Sequence, residues 1–192
     1  MAYETLANLR RWLNITSSSD DDILQAALDD ATAHIERETL RVWAAIADTT
    51  RRFDAVVDVR GRTLVFDAEI ASITSITNGN GASVAASQYV TEPRNASPAT
   101  AVTLKLNSTT EWTWSTSPED AIAVTGRWAA TITPPDDIVR ACRRLAAWYY
   151  LQRRNPDDLD RPIVTADGMT LTPSRVPSDV AGPLRSRRRI TL

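Results

Sequence analysis

Two amphipathic stretches of helical period stand far apart in this chain, and together they limit what it can fold into. The first reads DDDILQAALDDATAHIERE from Asp20 to Glu38, the second PDDIVRACRRLAAWYYLQRR from Pro135 to Arg154. In the first, Leu24, Leu28, Ala31, Ile35 and, further on, Val42 share one face, while Gln25, Asp29, Asp30, Glu36 and Arg37 lie outside it. Ser18 or Ser19 is placed to cap this helix, and Asp20, Asp21 and Asp22 fall in its first turn, where carboxylates favour the positive end of the dipole. In the second, Thr133, Pro134, Pro135, Asp136 and Asp137 mark a helix start. Ile138, Cys142, Leu145, Tyr149 and Gln152 then form a stripe widened by Ala141 and Trp148. Stripes of this width must be covered, and each helix can cover the other. A shorter helix is predicted over residues 4–13 from Leu6, Leu9, Trp12 and Leu13.

Between the two stretches the period changes to two. Phe53, Ala55, Val57 and Val59 alternate with Arg52, Asp54, Asp58 and Arg60, interrupted by Val56, before a turn at Arg60-Gly61. Further strands are predicted at Thr63–Phe66, Ile70–Thr77, Ser87–Thr91, Ala101–Leu106, Glu111–Ser115 and Ala121–Trp128, with Asn78-Gly79 and Asn80-Gly81 as turns. After Asn155-Pro156 the recurring prolines 162, 173, 177 and 183 rule out one long helix. The expected class is α+β. An antiparallel helical bundle of two long helices plus a short N-terminal one is formed by residues 1–50 and 134–156. A small antiparallel β domain over 51–133 is inserted in it, and an extended C-terminal arm over 157–192 follows.

The residues do not advertise chemistry. Phosphate-loop and nucleophile-elbow motifs are missing, and the Asn-Gly-Asn-Gly run is a hairpin signal. His34, the single histidine, lies beside the first apolar stripe without partners at useful spacing, so a structural role is expected. Cys142, the single cysteine, falls within the second stripe as a small hydrophobe. A lone cysteine also excludes an internal disulfide and a cysteine-built zinc site. The acidic pairs 20–22, 29–30, 136–137 and 157–158 are explained at two helix starts by dipole and capping. No metal, cofactor or catalytic set is expected. No apolar run is long enough to span a membrane, and the first residues lack the apolar core of a secretion signal, so the cytoplasm is the expected site of synthesis and assembly.

Charge is distributed unevenly. Residues 1–50 hold 4 basic and 9 acidic side chains, whereas residues 136–192 hold 11 arginines against 7 acids. This polarity favours head-to-tail association or an acidic partner. Asp20, Asp21, Asp22, Asp29 and Asp30 on one side, and Arg143, Arg144, Arg153 and Arg154 on the other, are the candidates for a subunit interface or a channel lining. Arg185, Arg187, Arg188 and Arg189 concentrate positive charge in the tail, where protein docking, plain solvation and nucleic-acid binding all stay open. Trp112 and Trp114 share one face of a predicted strand, as core or as an aromatic contact patch.

Several motifs taken together resemble a known family. Leu6-Ala7-Asn8-Leu9-Arg10-Arg11-Trp12-Leu13-Asn14-Ile15, Asp20-Asp21-Asp22-Ile23-Leu24 and His34-Ile35-Glu36-Arg37 resemble the opening of the head-to-tail connector adaptors of tailed bacteriophages. Val176-Pro177-Ser178-Asp179-Val180 with Leu184 and Arg187-Arg188 resembles that family's C-terminus. The resemblance implies a structural, non-enzymatic virion protein in the neck between capsid and tail. There, identical subunits form a ring of twelve beneath the portal protein and extend the channel for passing genomic DNA, which is contacted without sequence specificity. It also implies a tail or neck neighbour such as a stopper or tail terminator, and an arm of Val176, Pro177, Val180, Leu184, Arg185, Arg187, Arg188, Arg189 and Ile190 that docks on the portal. The β segment is longer than minimal helical members need, and Gly182-Pro183 is expected to interrupt the short terminal helix of the pattern. The alternatives are another neck or tail-completion protein, and a nucleic-acid-binding module using the terminal arginines.

Overall fold

The computed structural model describes residues 2–154, 163–164, 170–171 and 176–189. The fold is α+β and divides into two compact units, Met1–Arg41 with Pro134–Leu192, and Val42–Thr133.

In the helical unit, α1 (Leu6–Trp12) is capped by Thr5, whose hydroxyl accepts the Asn8 N–H. It buries only Leu9, and Trp12 stays 53% exposed, so its stripe is narrower than the sequence suggests. Helix α2 (Asp21–Thr39) buries Leu24, Ala27, Leu28, Ala31 and Ile35, and α3 (Asp136–Arg154) buries Ile138, Ala141, Cys142, Leu145, Ala146, Ala147 and Tyr150. These faces meet in the largest helix–helix contact of the unit. Alanines 27, 31, 141, 146 and 147 let the backbones approach, while the leucines and isoleucines fill the volume between them. The N-cap of α2 is Asp20, without a side-chain capping bond, instead of Ser18 or Ser19. Helix α2 ends where Leu40 enters the left-handed region (φ 53°, ψ 35°), its N–H bonding to the Glu36 carbonyl. Val42 therefore leaves the apolar stripe and is exposed.

The arm expected to be extended contains a helix, α4 (Ser178–Ser186), which packs on α3 and α2 with Val180 and Leu184 buried. Gly182-Pro183 does not interrupt it. Pro183 lacks one N–H, but Val180 and Ala181 both donate to the Pro177 carbonyl at 3.0 and 3.1 Å, and the apolar pair four residues apart seals the helix onto the body. Within the same arm β8 (Ile163–Val164) pairs antiparallel with β9 (Thr170–Leu171).

The β unit contains two antiparallel sheets. One has the order β1 (Thr49–Phe53), β7 (Ile122–Arg127), β4 (Ser72–Thr77); the other runs β2 (Val59–Arg60), β3 (Thr63–Ile70), β6 (Ala99–Leu104), β5 (Tyr89–Glu92). Ala71 alone separates β3 from β4, so the chain crosses between sheets through one residue whose N–H bonds to the Arg127 carbonyl at 2.8 Å. Both sheets contribute to one core, in which Phe53, Phe66 and Trp128 stack with centroids 5.3 to 5.7 Å apart. The Trp128 indole N–H donates to the Thr49 carbonyl and is thereby satisfied.

Three expectations for this unit are corrected. The alternating run at residues 53–59 is not one strand: the Asp54 carboxylate accepts the N–H groups of Val56 and Val57 at 2.6 and 2.8 Å and folds them into an exposed turn. Glu111–Ser115 forms no strand. Buried Asn78 holds it instead, donating to the Glu111 carbonyl and accepting the Thr113 N–H. Trp112 packs on the core with its N–H on the Arg62 carbonyl, while Trp114 is 43% exposed, so the two indoles do not act together.

The two ends of the β unit are tied to each other. Ala130 and Thr131 donate their N–H groups to the Val42 and Trp43 carbonyls at 2.7 and 3.1 Å, and the Thr131 hydroxyl adds a 2.6 Å bond to Trp43.

Gly126 supplies a direct check on this packing. A Cβ there would collide with the Ser72 carbonyl oxygen, Ile70 and Ile73, because the chain passing from β3 into β4 lies against Gly126 where the β4–β7 pairing is interrupted by a bulge between Ile73 and Ser75. Gly126→Ala is expected to destabilise the β unit by about 2 kcal/mol, read as a lower denaturation midpoint by tryptophan fluorescence.

Candidate assembly interface

The surface of the helical unit is organised by ion pairs, two of which, Glu4–Arg143 and Asp20–Arg154, join the acidic beginning to the basic end of the sequence. Glu4, buried ahead of α1, accepts from Arg143 Nε at 2.6 Å, from Asn8 Nδ2 at 2.9 Å and from the Thr5 N–H at 2.8 Å. Burial pushes its carboxyl up. The donors Asn8, Thr5 and Arg143 together outweigh burial and hold it below the ordinary glutamate value. Asp20 accepts the Tyr150 hydroxyl at 2.5 Å, with Arg154 3.8 Å away, and the tyrosine bond first of all lowers its pKa. Asp21 pairs with Arg10 at 3.4 Å. Arg144 grips Asp179 of α4 through two bonds of 3.0 and 3.3 Å, and Arg187 reaches Asp137.

These contacts separate the expected interface residues into two groups. Asp20, Asp21, Arg143, Arg144 and Arg154 are engaged within their own unit. Asp22, Asp29, Asp30 and Arg153 are exposed, Asp29 accepting a bond from Gln25 of the same helix. Of the expected portal-docking arm, Val180 and Leu184 are sealed against the body, whereas Arg185, Arg187 and Arg188 are exposed. Arg189 binds the end of α2 through its own backbone N–H on the Thr39 carbonyl. Val176 and Pro177 precede α4 and are half-buried, and Ile190 lies outside the described residues.

His34 is a buried packing residue. Its Nδ1 receives Arg37 at 3.2 Å and meets the Tyr149 hydroxyl at 3.1 Å. Arginine can only donate, so Nδ1 is the acceptor and the ring proton lies on Nε2. Burial, then the Arg37 charge, lowers its pKa. Cys142 is buried against the Thr32 hydroxyl at 3.7 Å, and burial pushes its thiol up.

The sequence did not single out Trp12. Its indole stands between two depressions, one lined by Asn8, Arg11 and Arg143, the other by Asp137, Arg140, Ala141, Arg144, Asp179, Val180 and Pro183, about 290 Å³ in volume. The Arg143 guanidinium lies 5.6 Å from the centre of the ring. Its helical spacing with Leu6 and Leu9 looked like core.

Residues 3–59 match the phage gp6-like head-tail connector protein family. The connector match therefore takes in α1, α2 and the first strand of the β unit, and bears out the resemblance seen in the opening motifs. Three solved structures share the fold at 18% identity. They come from the neck of an empty gene transfer agent (GTA) particle computed with C6 symmetry (TM-score 0.55; 97% of this chain and 90% of that one), the virion of a native GTA particle (0.57; 97% and 90%), and the neck of a native GTA particle computed with C12 symmetry (0.53; 97% and 89%). No curated protein matches significantly.

The ion pairs generate two predictions. Arg143→Ala leaves a buried carboxylate without its cation and is expected to cost about 2 kcal/mol. Because the folded pKa of Glu4 is depressed, its contribution is complete above the unfolded value of 4.5 and is lost as pH falls through the folded value. Glu4→Gln should flatten the acid limb of a melting-temperature profile between about pH 5 and 3. For α4, Leu184→Ala removes about 2 kcal/mol of docking and should speed amide exchange in this helix roughly thirtyfold, with little change in α2 or α3.

Proposed function

We propose that this chain is a structural protein of a virion neck, a head-to-tail adaptor that forms a ring under the portal, extends the DNA channel and links the portal to the tail or neck. One observation carries the reading: the connector family match falls on α1 and α2, the same segment that closes the helical unit, and solved neck proteins share the fold across 97% of the chain. We read the helical unit as an antiparallel bundle. Tyr150 near the end of α3 meets Asp20 at the start of α2, and Cys142 meets Thr32 further along, which supports it. Subunits of a ring need two different complementary patches, and the exposed acids of α2 and the arginines of α1 and α3 are our candidates for them.

Val176, Pro177, Val180, Leu184, Arg185, Arg187, Arg188, Arg189 and Ile190 remain our proposed portal-docking arm. Since α4 is docked on its own subunit, the exposed Arg185 and Arg188 make the first contact, and engagement of Val180 and Leu184 requires α4 to leave its seat. The internal pairing of Arg187 with Asp137 favours protein docking over DNA binding by the tail. Assembly in the host cytoplasm, a stopper or tail-terminator neighbour and a ring of twelve belong to the same proposal.

Imaging of the full chain mixed with its portal protein tests it. The expected outcome is a ring of copies seated on the portal, with the terminal residues at the contact. A chain that stays free of the portal, or binds only a tail component, refutes the adaptor reading.

A further inference from the structure

The ion pairs of the helical unit leave two opposite charge surfaces unspent. The first centres on Trp12, half of whose surface faces solvent although it is the largest apolar side chain of α1. Around it stand Arg11, Arg140, Arg143 and Arg144 from two helices. Arg143 and Arg144 are occupied by Glu4 and Asp179, while Arg11 and Arg140 are exposed and carry no ion pair among the described residues. Ala141, Val180 and Pro183 give the adjoining groove an apolar lining. An exposed tryptophan with arginine neighbours and an apolar recess has the composition of an interface centre.

The second surface is the outer face of α2. Asp22, Ala26, Asp29 and Ala33 recur at intervals of three and four residues, so they form one stripe, and all four are exposed. The stripe lies opposite the face carrying Leu24, Leu28, Ala31 and Ile35, and Asp30 flanks it. Among the described residues Asp22 and Asp29 carry no arginine partner, and Ala26 leaves room for a large side chain between the acids.

We propose that the Trp12 patch of one copy receives the outer face of α2 of the next, with Arg11 and Arg140 pairing with Asp22 and Asp29 and the indole set over Ala26 between them. The occupant is a second copy of this chain because the complementary charge is present on the chain itself. It also lies on the side of α2 turned from the core, as a contact that repeats head-to-tail around a ring requires. This assignment rests on the ring reading above and names its contact.

Charge reversal tests it on the full chain by native mass spectrometry and imaging. R11E/R140E carries two acidic patches and D22R/D29R two basic ones, so each alone should shift the concentration for ring formation upward by roughly tenfold or more. An equimolar mixture should recover rings in which the two variants alternate, which allows even copy numbers only. All four residues are exposed, and circular dichroism verifies that the variants fold. R11Q/R140Q provides a milder version with a smaller shift. Rings unaffected by either reversal, or single losses that mixing does not rescue, overturn the proposed contact and leave the ring reading standing. A wild-type chain that stays monomeric at every concentration and beside its portal protein overturns both. Loss of portal binding with intact rings gives the Trp12 patch to the portal, against this assignment.

Discussion

The contact between α2 and α3 is the constraint on which the helical unit depends. Each helix buries a broad apolar stripe, and helices in proteins draw most of their stability from packing such a face. The stripes interlock small against large, with alanines setting the separation and leucine and isoleucine filling it. Everything else in the unit is fastened to that pair: α1 by the Glu4–Arg143 bond and Leu9, α4 by Val180, Leu184 and the Arg144–Asp179 bond.

An insertion between two helices that must touch is tolerable only if its own ends stay together. The β unit meets that condition internally, through Val42 and Trp43 bonded to Ala130 and Thr131. Its core is equally self-sufficient. Residues of both sheets enclose the Phe53, Phe66 and Trp128 cluster, and the one-residue link at Ala71 lets consecutive strands serve different sheets. A unit built in this way can be lengthened or reshaped without disturbing the helices that precede and follow it.

Charge in the helical unit serves first to hold it together. The acidic opening and the arginine-rich end fold into one body: among the described residues Glu4–Arg143 and Asp20–Arg154 join the two ends, while Arg10–Asp21, Arg144–Asp179 and Arg187–Asp137 use up charge within each end. Paired charges at a partly exposed surface define geometry more than they add stability. What is left over among the described residues is an acidic stripe on α2 and arginines around a half-exposed tryptophan. Residues excluded from the internal pairs are the ones available to neighbours.

Both long helices, the change of period at the β unit and the connector motifs could be read from residue order alone, because local spacing decides which side chains share a face. Spacing also placed Leu24, Leu28, Ile35, Ile138, Cys142 and Leu145 in the core. It misled where a side chain competes with the backbone, as at Asp54, which turns an alternating run into a loop, and at Asn78, which pins residues 111–113 without a strand. The docked α4, the exposure of Trp12 and the partners of Arg143 and Arg144 had to await the tertiary structure. Each depends on which distant segments become neighbours, and a period measured along one helix says which face is apolar without saying what will cover it.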